Sequence, residues 1–551
     1  MPDARPAEGR RAYAIGIDFG TESGRALLLD TGSGENVATS VVRYPSAVID
    51  RTLPSTDERL PGDWALQDPD DWVHVLETAI PDVIKQADVS AEEVVGLGID
   101  FTSCTVLPAT DEGVPLCTLE RWRDRRHAWP KLWKHHAAQP IADRLTEVAL
   151  ERNESFLERY GGRISSEWYF PKLIEVWLED REVYDAADRF IEATDWIIWH
   201  LTGTECRQSA TAGFKAMWSP EEGLPPTEYF EAAYPGFDRP GEKLGDRFSP
   251  LGTRAGTLSP EVAQRVGLPE SVAVAVGNVD AWVSVPGVGV DSPGTFVIVI
   301  GTSICDMVVS QDEVRLPGIT GVVKDGILPG MYGYEAGQAA VGDMLAWFVD
   351  RLAEDREDYE KLERAASELE PGETGLVALD WWNGNRTILA DADLSGILFG
   401  LTLQTRREHI YRALMESIAF GSRRIMDNFE EHGLELTQIV ACGGIAERSP
   451  LMMQLLADTS GREVHVPDSS EIPARGAALF GAVAAGVFDD ISAAIEATRP
   501  EAMRSYSPDR TAGTTYDKVY AIYRRLYDML GRSEVELLHD LKQIRREQLR
   551  S

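Results

Sequence analysis

The most restrictive feature of the sequence is the segment YAIGIDFGTESGRALLLD at residues 13–30. Its first apolar run ends at Asp18, and a turn of glycine and small hydroxyl residues leads to a second apolar run. Such a pattern predicts two strands joined by a turn. The backbone N–H groups of a glycine-rich turn can bind anionic oxygens, and a carboxylate at a strand end can hold a divalent cation. The segment therefore indicates a site for phosphate groups with magnesium.

Two later segments repeat this pattern of an apolar strand followed by a Gly/Ser/Thr cluster. They are VIVIGTSICDMVV at 297–309 and IVACGGIAERSPLM at 439–452. A single strand with a glycine turn would fit an ordinary hairpin. Three such turns in one chain, the first with Asp-x-Gly-Thr, favour a nucleotide site that binds ATP.

Alternating strand and helix patterns predict an α/β protein, and 551 residues are too many for one core. We expect a polar leader over 1–11, a first domain over 12–288 with insertions at about 118–260, and a second domain over 289–545, because the Pro/Gly-rich stretch 285–294 is typical of a boundary. The predicted strands are 13–18, 25–30, 94–101, 295–300 and 304–309. The predicted helices are 69–87, 168–180, 182–203, 335–353, 406–432, 447–460, a small-residue helix at 475–487 suited to packing beside a nucleotide, and charged helices from about 515.

Acidic residues dominate the charge. Ninety Asp and Glu against 54 Lys and Arg give a formal net charge of −36, and only ten of the basic residues are lysines. This balance argues against nucleic acid or an anionic membrane as a partner. It is typical of a surface adapted to high salt, although an ordinary acidic enzyme is an alternative.

The cysteines and the N-terminal residues indicate the cellular compartment in which we expect the protein. The five cysteines are odd in number and widely spaced, which predicts core thiols rather than a disulfide framework or a C-x-x-C metal site. The N-terminal residues lack a signal-peptide apolar core, and no run reaches the ~20 apolar residues of a membrane span. We therefore expect a cytoplasmic protein.

The residues themselves suggest a base and a set of phosphate ligands. Asp280 follows the apolar strand VAVAVG at 272–277 and precedes apolar residues, so a carboxylate there favours a general base, with an exposed turn aspartate as the alternative. Asp18 is the candidate metal ligand. The candidate nucleotide-binding residues are Asp18, Gly20, Thr21, Glu22, Ser23, Gly301, Thr302, Ser303, Gly443 and Gly444.

Several further segments resemble one known family. DFGTES, VGNVDAW, GTS and CGG, in chain order at 18–23, 276–282, 301–303 and 442–444, are similar to the FGGY carbohydrate kinases of the actin-like ATPase superfamily. Other segments narrow the resemblance to the L-ribulokinases in that family: GIDFTSCT, KLWKHHAA, YGGRISSEW, EATDWI, AGFKAMW, GYEAGQAAVGDMLAWF and DWWNGNRT. The resemblance spans about residues 12–545.

The resemblance implies two ribonuclease H-like domains that face each other across a nucleotide cleft, with ATP and Mg²⁺ as cofactors and a homodimer as one possible assembly. It aligns Asp280 with the catalytic aspartate, which also touches the sugar. It places further sugar contacts at Ser103, Lys215 and Glu335. Lys215 is notable in its own right, since it lies in an apolar context, although a lysine that only extends its ammonium group to solvent would fit too.

Three functions remain open from the sequence. The first is ATP-dependent phosphorylation of the terminal hydroxyl of a ketopentose, L-ribulose giving L-ribulose 5-phosphate. The second keeps the mechanism but takes D-ribulose, xylulose, ribitol or a pentose phosphate such as ribose 1-phosphate, because Trp282 stands where ribulokinases usually have histidine and the arginine-rich run 121–126 could meet a phosphate. The third is an actin-like or chaperone-like nucleotide switch without sugar chemistry.

Overall fold

The computed structural model describes residues 11–56, 58–352, 358–469, 471–500 and 502–550. All of the predicted leader except Arg11 lies outside these residues. The chain divides into two compact units. The first unit comprises Met1–Asp291, Val323–Gly333 and Ser469–Pro500, and the second comprises Ser292–Val322, Tyr334–Asp468 and Glu501–Ser551.

The strands and helices alternate along much of the chain. The strands are β1 Tyr13–Phe19, β2 Ser23–Asp30, β3 Asn36–Arg43, β4 Val94–Phe101, β5 Val106–Ala109, β6 Arg189–Glu192, β7 Arg254–Thr257, β8 Ala273–Ala275, β9 Asn278–Val279, β10 Thr295–Ile300, β11 Ile304–Ser310, β12 Gly321–Lys324, β13 Tyr332–Gln338, β14 Val377–Leu379, β15 Ile397–Phe399, β16 Gln438–Cys442, β17 Val464–Pro467 and β18 Met503–Tyr506.

Helices cover the sheets. They are α1 Pro69–Ala87, α2 Gln139–Arg152, α3 Tyr169–Glu179, α4 Arg181–Ala186, α5 Ala193–Thr202, α6 Ser209–Ala216, α7 Thr227–Ala233, α8 Pro260–Val266, α9 Asp280–Gly287, α10 Gly342–Leu352, α11 Asp358–Ser367, α12 Arg407–Glu431, α13 Gly444–Arg448, α14 Pro450–Ser460, α15 Ile472–Ala484, α16 Ile491–Thr498, α17 Arg510–Asp528 and α18 Glu536–Arg550. Six of them, α2 to α7, lie in the insertion at 118–260. None of the helices in the described ranges is both long enough and apolar enough to cross a bilayer.

Each unit contains a seven-stranded sheet built around the same pattern. In the first, the order is β3-β2-β1-β4-β8-β7, with β9 paired to the end of β4. In the second, the order is β12-β13-β11-β10-β16-β17-β18. Both β1 and β10 pair antiparallel with the next strand and parallel with a later one, β4 or β16. This shared arrangement is the ribonuclease H-like, actin-type α/β fold that the sequence predicts.

One late helix belongs to the first unit. The sequence assigns 289–545 to a single second domain, whereas α15 packs on β1 and β4 of the first sheet. The reason is close backbone packing: a Cβ at Gly16 would collide with the Ala474 carbonyl, and one at Gly98 with the Ala477 carbonyl. The small-residue helix therefore supports the first sheet directly.

Three predicted helices are wrong in part. The range predicted as one helix at 447–460 contains the end of α13 and all of α14, with a break at Ser449. The range predicted as one helix at 182–203 contains α4, β6 and α5, because β6 pairs antiparallel with β5. The helix predicted from 335 starts at Gly342, and residues 335–338 belong to β13. By contrast, α1 and β4 have the predicted bounds. At β6 pairing with the distant strand β5 overrides a helical pattern, and at β13 pairing with β11 and β12 does so.

Candidate active site

Polar side chains form a row across one edge of the first sheet. Asp18 on β1 is in register with Arg25 on β2 and with Asp100 on β4, and Asp100 is in register with Asn278 on β9. Residues at one register position on neighbouring strands project from the same face. The sheet thus brings a guanidinium, two carboxyls and an amide together near its carboxyl end; we call these four residues the polar row.

The face of the sheet follows from strand alternation. Ile17 and Phe19 join the large apolar core under α1, so Gly16 and Asp18 project to the opposite face, where α15 packs. The same alternation holds for Gly98 and Asp100. Since α15 meets Gly98 at Ala477 and the earlier Gly96 at Gly481, it runs antiparallel to β4. Asp18 and Asp100 therefore lie beyond the N-terminal end of α15.

The two carboxyls of the polar row are buried and poorly compensated. Asp18 is 3% exposed and Asp100 is 0% exposed. Arg25 Nε lies 3.5 Å from Asp18 Oδ2, and its Nη1 lies 3.1 Å from Glu471 Oε2. Burial raises the pKa of Asp18, against the opposing charge of Arg25, and burial together with the Asp18 and Asp280 carboxylates raises the pKa of Asp100 well above its usual range. Such a site attracts positive charge.

Sequence reasoning missed Asp100. Its signal was a repeat: GIDF occurs at 16–19 and again at 98–101. In the structure these two tetrapeptides are the paired ends of β1 and β4, in register residue for residue. The repeat has a physical cause, because the glycine admits the backbone of α15 and the aspartate two residues later emerges on the same face.

Asp280 is the first residue of α9 and is partly buried. Its Oδ1 accepts a hydrogen bond from the Ala281 N–H at 2.6 Å. The position of α9 is set by α15, since a Cβ at Gly476 would collide with the Val283 carbonyl. Asp280 is also one of the charges that act on Asp100, so the candidate base lies beside the polar row.

Lys215 is buried near Asp280. It lies on α6, is 3% exposed, and its Nζ is 5.6 Å from the ring centroid of Trp282. Phe214 and Trp282 have ring centroids 4.4 Å apart, which joins the helix of Lys215 to that of Asp280. An ammonium group held inside the unit in this way differs from a lysine that merely reaches solvent.

Ser103 lies in the loop after β4, and its Oγ is buried without a hydrogen-bond partner among the described residues. The next residue, Cys104, has a φ of 58°, which is unusual for a residue with a side chain. Lys172 Nζ donates to the Cys104 carbonyl at 2.6 Å and so holds this conformation. Burial raises the pKa of nearby Glu192 to about 7, and Lys172 and Lys215 oppose that rise. A buried, unpartnered hydroxyl suits a polyol.

The turn that joins β1 to β2 is held from outside through its carbonyl oxygens. Tyr44 Oη donates to the Gly20 carbonyl at 3.0 Å and Gln67 Nε2 to the Thr21 carbonyl at 2.9 Å. In a planar trans peptide the N–H of the following residue points the opposite way. The N–H groups of Thr21 and Glu22 therefore face away from these supports, as a phosphate-binding turn requires.

A second support for this turn comes from the insertion and was missed in the sequence. Trp133 Nε1 donates to Thr21 Oγ1 at 3.1 Å. Trp133 is flanked by Lys131 and His135, which both contact the buried Glu175 carboxylate, at 2.8 and 2.9 Å. Ser23 Oγ accepts from Arg25 Nη2 at 3.2 Å, which connects the turn to the polar row.

The second unit brings its two glycine turns together. Val299 on β10 is in register with Cys442 on β16, so the loop with Gly301, Thr302 and Ser303 lies next to Gly443 and Gly444. Gly443 has a φ of 93°, and a Cβ there would lie 2.7 Å from the Ile300 carbonyl oxygen. The Val341 N–H donates to the Thr302 carbonyl at 3.0 Å. The two turns offer backbone and hydroxyl groups, and neither Gly301–Ser303 nor Gly443–Gly444 contains a carboxylate itself.

Glu335, the fourth predicted sugar contact, lies on β13 of the second unit and is 8% exposed. Its carbonyl accepts from the Thr320 N–H. The other three predicted contacts lie in the first unit, so the contribution of Glu335 to the same sugar stays a prediction.

Two of the four arginines in the run 121–126 form ion pairs within the first unit. Arg125 Nη2 lies 2.5 Å from Asp180 Oδ1, and Arg126 Nη2 lies 3.2 Å from Glu179 Oε2. These pairs weaken the sequence argument for a phosphorylated sugar.

The site has the groups that a hydrated divalent cation needs. Within the described ranges, no cluster of three or more His, Cys, Asp or Glu side chains is arranged to enclose a metal ion. However, Oδ1 of Asp18 is buried without a hydrogen-bond partner. Mg²⁺ typically uses one or two carboxylates and completes its shell with waters and phosphate oxygens, so Asp18 fits this type of binding.

The fold, with a phosphate turn in each unit and a carboxylate beside a buried lysine, defines a class of two-domain phosphotransferases. The chain matches the N-terminal domain of the FGGY family of carbohydrate kinases over residues 13–287 and its C-terminal domain over 296–485. It belongs to the FGGY family of carbohydrate kinases.

The chain is also similar to individual proteins over nearly its full length. The chain is 47% identical over 548 residues to a ribulokinase of Halalkalibacterium halodurans, with 97% of each chain covered. It is 42% identical over 538 residues to a ribulokinase of Mycolicibacterium smegmatis, with 95% of each covered. Among solved structures, xylulose kinase from Rhodospirillum rubrum matches with a TM-score of 0.77 at 24% identity, covering 96% of this chain and 100% of that one. The last match supports the fold alone.

Proposed function

We propose that the protein transfers the terminal phosphoryl group of ATP to the terminal hydroxyl of a ketopentose, converting L-ribulose to L-ribulose 5-phosphate. The observation that carries this proposal is the similarity to ribulokinases along almost the whole chain, at 42–47% identity. The contact between Phe214 and Trp282, which joins the helix of Lys215 to that of Asp280, also supports it.

In this proposal Asp280 accepts the proton of the attacking sugar hydroxyl. The helix start holds its carboxylate through the Ala281 N–H, so the free oxygen lone pairs keep a fixed direction. Lys215 donates to sugar oxygens, the Ser103 hydroxyl donates or accepts, and Glu335 accepts from sugar hydroxyls. Such paired contacts reject analogues that lack a hydroxyl, because buried polar groups would then lose their partners.

The phosphate groups are assigned to the turns. The Thr21 and Glu22 N–H groups, with Ser23, would meet the transferring phosphate, and Gly301, Thr302 and Ser303 the remaining phosphates. Gly443 and Gly444 would lie close to the nucleoside. A magnesium ion held at Asp18 would neutralise phosphate charge. We further propose that the two units close around the substrates, since water is a competing acceptor for the phosphoryl group.

A substrate panel tests the sugar. ATP consumption and sugar phosphate should be measured with L-ribulose, D-ribulose, xylulose, ribitol and ribose 1-phosphate, in low and in molar potassium chloride. We expect the highest kcat/KM with L-ribulose. A higher kcat/KM with another pentose would make that pentose the substrate and leave the proposed mechanism unchanged. ATP hydrolysis that no sugar alters would instead support the nucleotide-switch alternative.

We propose that the enzyme is cytoplasmic and acts in pentose catabolism such as that of arabinose, and that its acidic composition is an adaptation to salt. Repulsion among carboxylates extends further in dilute salt, where the Debye length is about 10 Å at 0.1 M against about 3 Å at 1 M. The melting temperature should therefore rise with potassium chloride. If the melting temperature stays flat or falls between low and molar salt, the net charge of −36 is ordinary acidic composition and not an adaptation to salt. The expected homodimer stays a prediction.

A further inference from the structure

Asp100 is a buried carboxylate without a hydrogen-bonding partner. It is 0% exposed, and neither Oδ1 nor Oδ2 receives a hydrogen bond from a donor in the described structure. Leaving a buried carboxylate in this state is costly, and a native structure that keeps one usually has a use for it.

Other buried aspartates of the same unit are satisfied. Asp195, 3% exposed on α5, accepts the Gln208 N–H at 3.1 Å, and Asp71 accepts the Ser46 N–H at 3.1 Å. Asp100 differs from both in lacking a donor among the described residues, as does Asp306 on β11 of the second sheet. Asp100 differs from Asp306 in lying in register with a second aspartate, Asp18, that also has an unpartnered buried oxygen.

The carboxyl of Asp18 neighbours that of Asp100, because the two residues are in register on the adjacent strands β1 and β4. The Arg25 guanidinium is shared between Asp18 and Glu471. Asp18 Oδ1 is a second buried oxygen without a hydrogen-bond partner, so two neighbouring carboxyls keep oxygens that a divalent cation could use.

We propose that Asp100 is a second carboxylate, beside Asp18, that positions the divalent cation accompanying the nucleotide. This inference rests on the proposed function, because a kinase takes its nucleotide with such a cation. Asp18 and Asp100 would bind the cation directly or through its waters, and phosphate oxygens would supply other positions.

The test measures cation binding rather than turnover. Free Mn²⁺ is followed by electron paramagnetic resonance in the presence of ADP, for the wild type, Asp100→Asn and the matched control Asp195→Asn. We expect Asp100→Asn to weaken Mn²⁺ binding by about tenfold or more, and Asp195→Asn to leave it unchanged. Unchanged Mn²⁺ affinity in Asp100→Asn, or no Mn²⁺ binding by the wild type, would overturn the proposal.

Thermal stability provides an independent readout. In chelator, Asp100→Asn should melt at a higher temperature than the wild type, because an uncompensated buried carboxylate is removed. Asp195→Asn should melt lower, since its carboxylate has a backbone partner. A structural Asp100 would give the reverse result, a lower melting temperature with full Mn²⁺ affinity.

The outcome is separable from that of the proposed function. If the wild type binds Mn²⁺ through Asp100 but does not phosphorylate L-ribulose, the proposed substrate is wrong and the cation site stands. A wild type that phosphorylates L-ribulose while Asp100→Asn retains full Mn²⁺ affinity would remove only the present inference.

Discussion

The strand ends of the two units share a topology and differ in chemistry. In the first unit, the parallel pair β1 and β4 ends in Asp18 and Asp100, with Arg25 on the neighbouring strand. In the second, the parallel pair β10 and β16 leads into glycine turns without a carboxylate. The same fold thus supplies a charged edge suited to a proton and a cation, and a neutral edge suited to close approach of phosphate and nucleoside.

The largest expected effect tests the charged edge. Asp280→Asn removes the proposed proton acceptor but keeps the size of the side chain, so kcat should fall by about 10²-fold or more while ATP affinity stays close to that of the wild type. Steady-state kinetics and nucleotide titration would measure both. Asp291→Asn, at a residue paired with Arg499, is the control. Near-normal turnover of Asp280→Asn would remove this residue from catalysis.

The second prediction tests whether Glu335 of the second unit also binds the sugar. Glu335→Ala should raise the KM for the sugar by roughly tenfold, because sugar hydroxyls lose a buried acceptor, and leave the KM for ATP almost unchanged. Free phosphate should rise relative to sugar phosphate, because water competes better for the phosphoryl group when the sugar is held less firmly. A two-substrate kinetic matrix that scores both products is the measurement. Equal losses toward ATP and sugar would assign Glu335 to the fold or the nucleotide.

The third prediction concerns the backbone of the neutral edge. Gly443 and Gly461 both have positive φ, 93° and 69°, but only Gly443 lies against a carbonyl oxygen, that of Ile300. Alanine at either position should cost about 1–2 kcal/mol of stability from the left-handed conformation. Only Gly443→Ala should also displace the turn and raise the KM for ATP, by roughly tenfold if the displacement costs about 1.4 kcal/mol. Matching KM values for the two variants would contradict the assignment.

How well these strand ends can be predicted from the sequence depends on how far apart the interacting residues lie along the chain. The bounds of α1 and β4 follow from local periodicity and are as predicted. The strand β6 was missed because it forms only through pairing with β5, about 80 residues earlier in the chain. Asp100 can be recognised as a site residue only when β4 is set in register with β1, and the repeat of GIDF at 16–19 and 98–101 is the sequence signal for that pairing.

The position of α15 shows the same limit. Its small residues predict close packing, yet its partner is the first sheet, more than 370 residues earlier, at Gly16 and Gly98. The small residues of α15 predict close contact with another backbone segment, but the sequence does not identify that segment. Site residues that lie in local motifs, such as Asp18 and Asp280, could be proposed from sequence, whereas their supports could not.

The smallest expected effect separates how the two phosphate turns are held. The turn of the first unit depends on side chains, since Trp133 Nε1 donates to Thr21 Oγ1 at 3.1 Å, while that of the second receives the backbone N–H of Val341. Trp133→Phe removes one hydrogen bond, worth about 0.5–1.5 kcal/mol, so the KM for ATP should rise by about 2- to 10-fold with the sugar KM unchanged.

A matched control lies in the same insertion. Trp129 Nε1 donates to the Arg123 carbonyl at 2.9 Å, away from the turn, so Trp129→Phe loses the same kind of bond. It should lower stability by a similar amount and leave the KM for ATP as in the wild type. If both variants raised that KM equally, the effect would reflect general loosening of the insertion, and the turn of the first unit would be held by Tyr44 and Gln67 without help from Trp133.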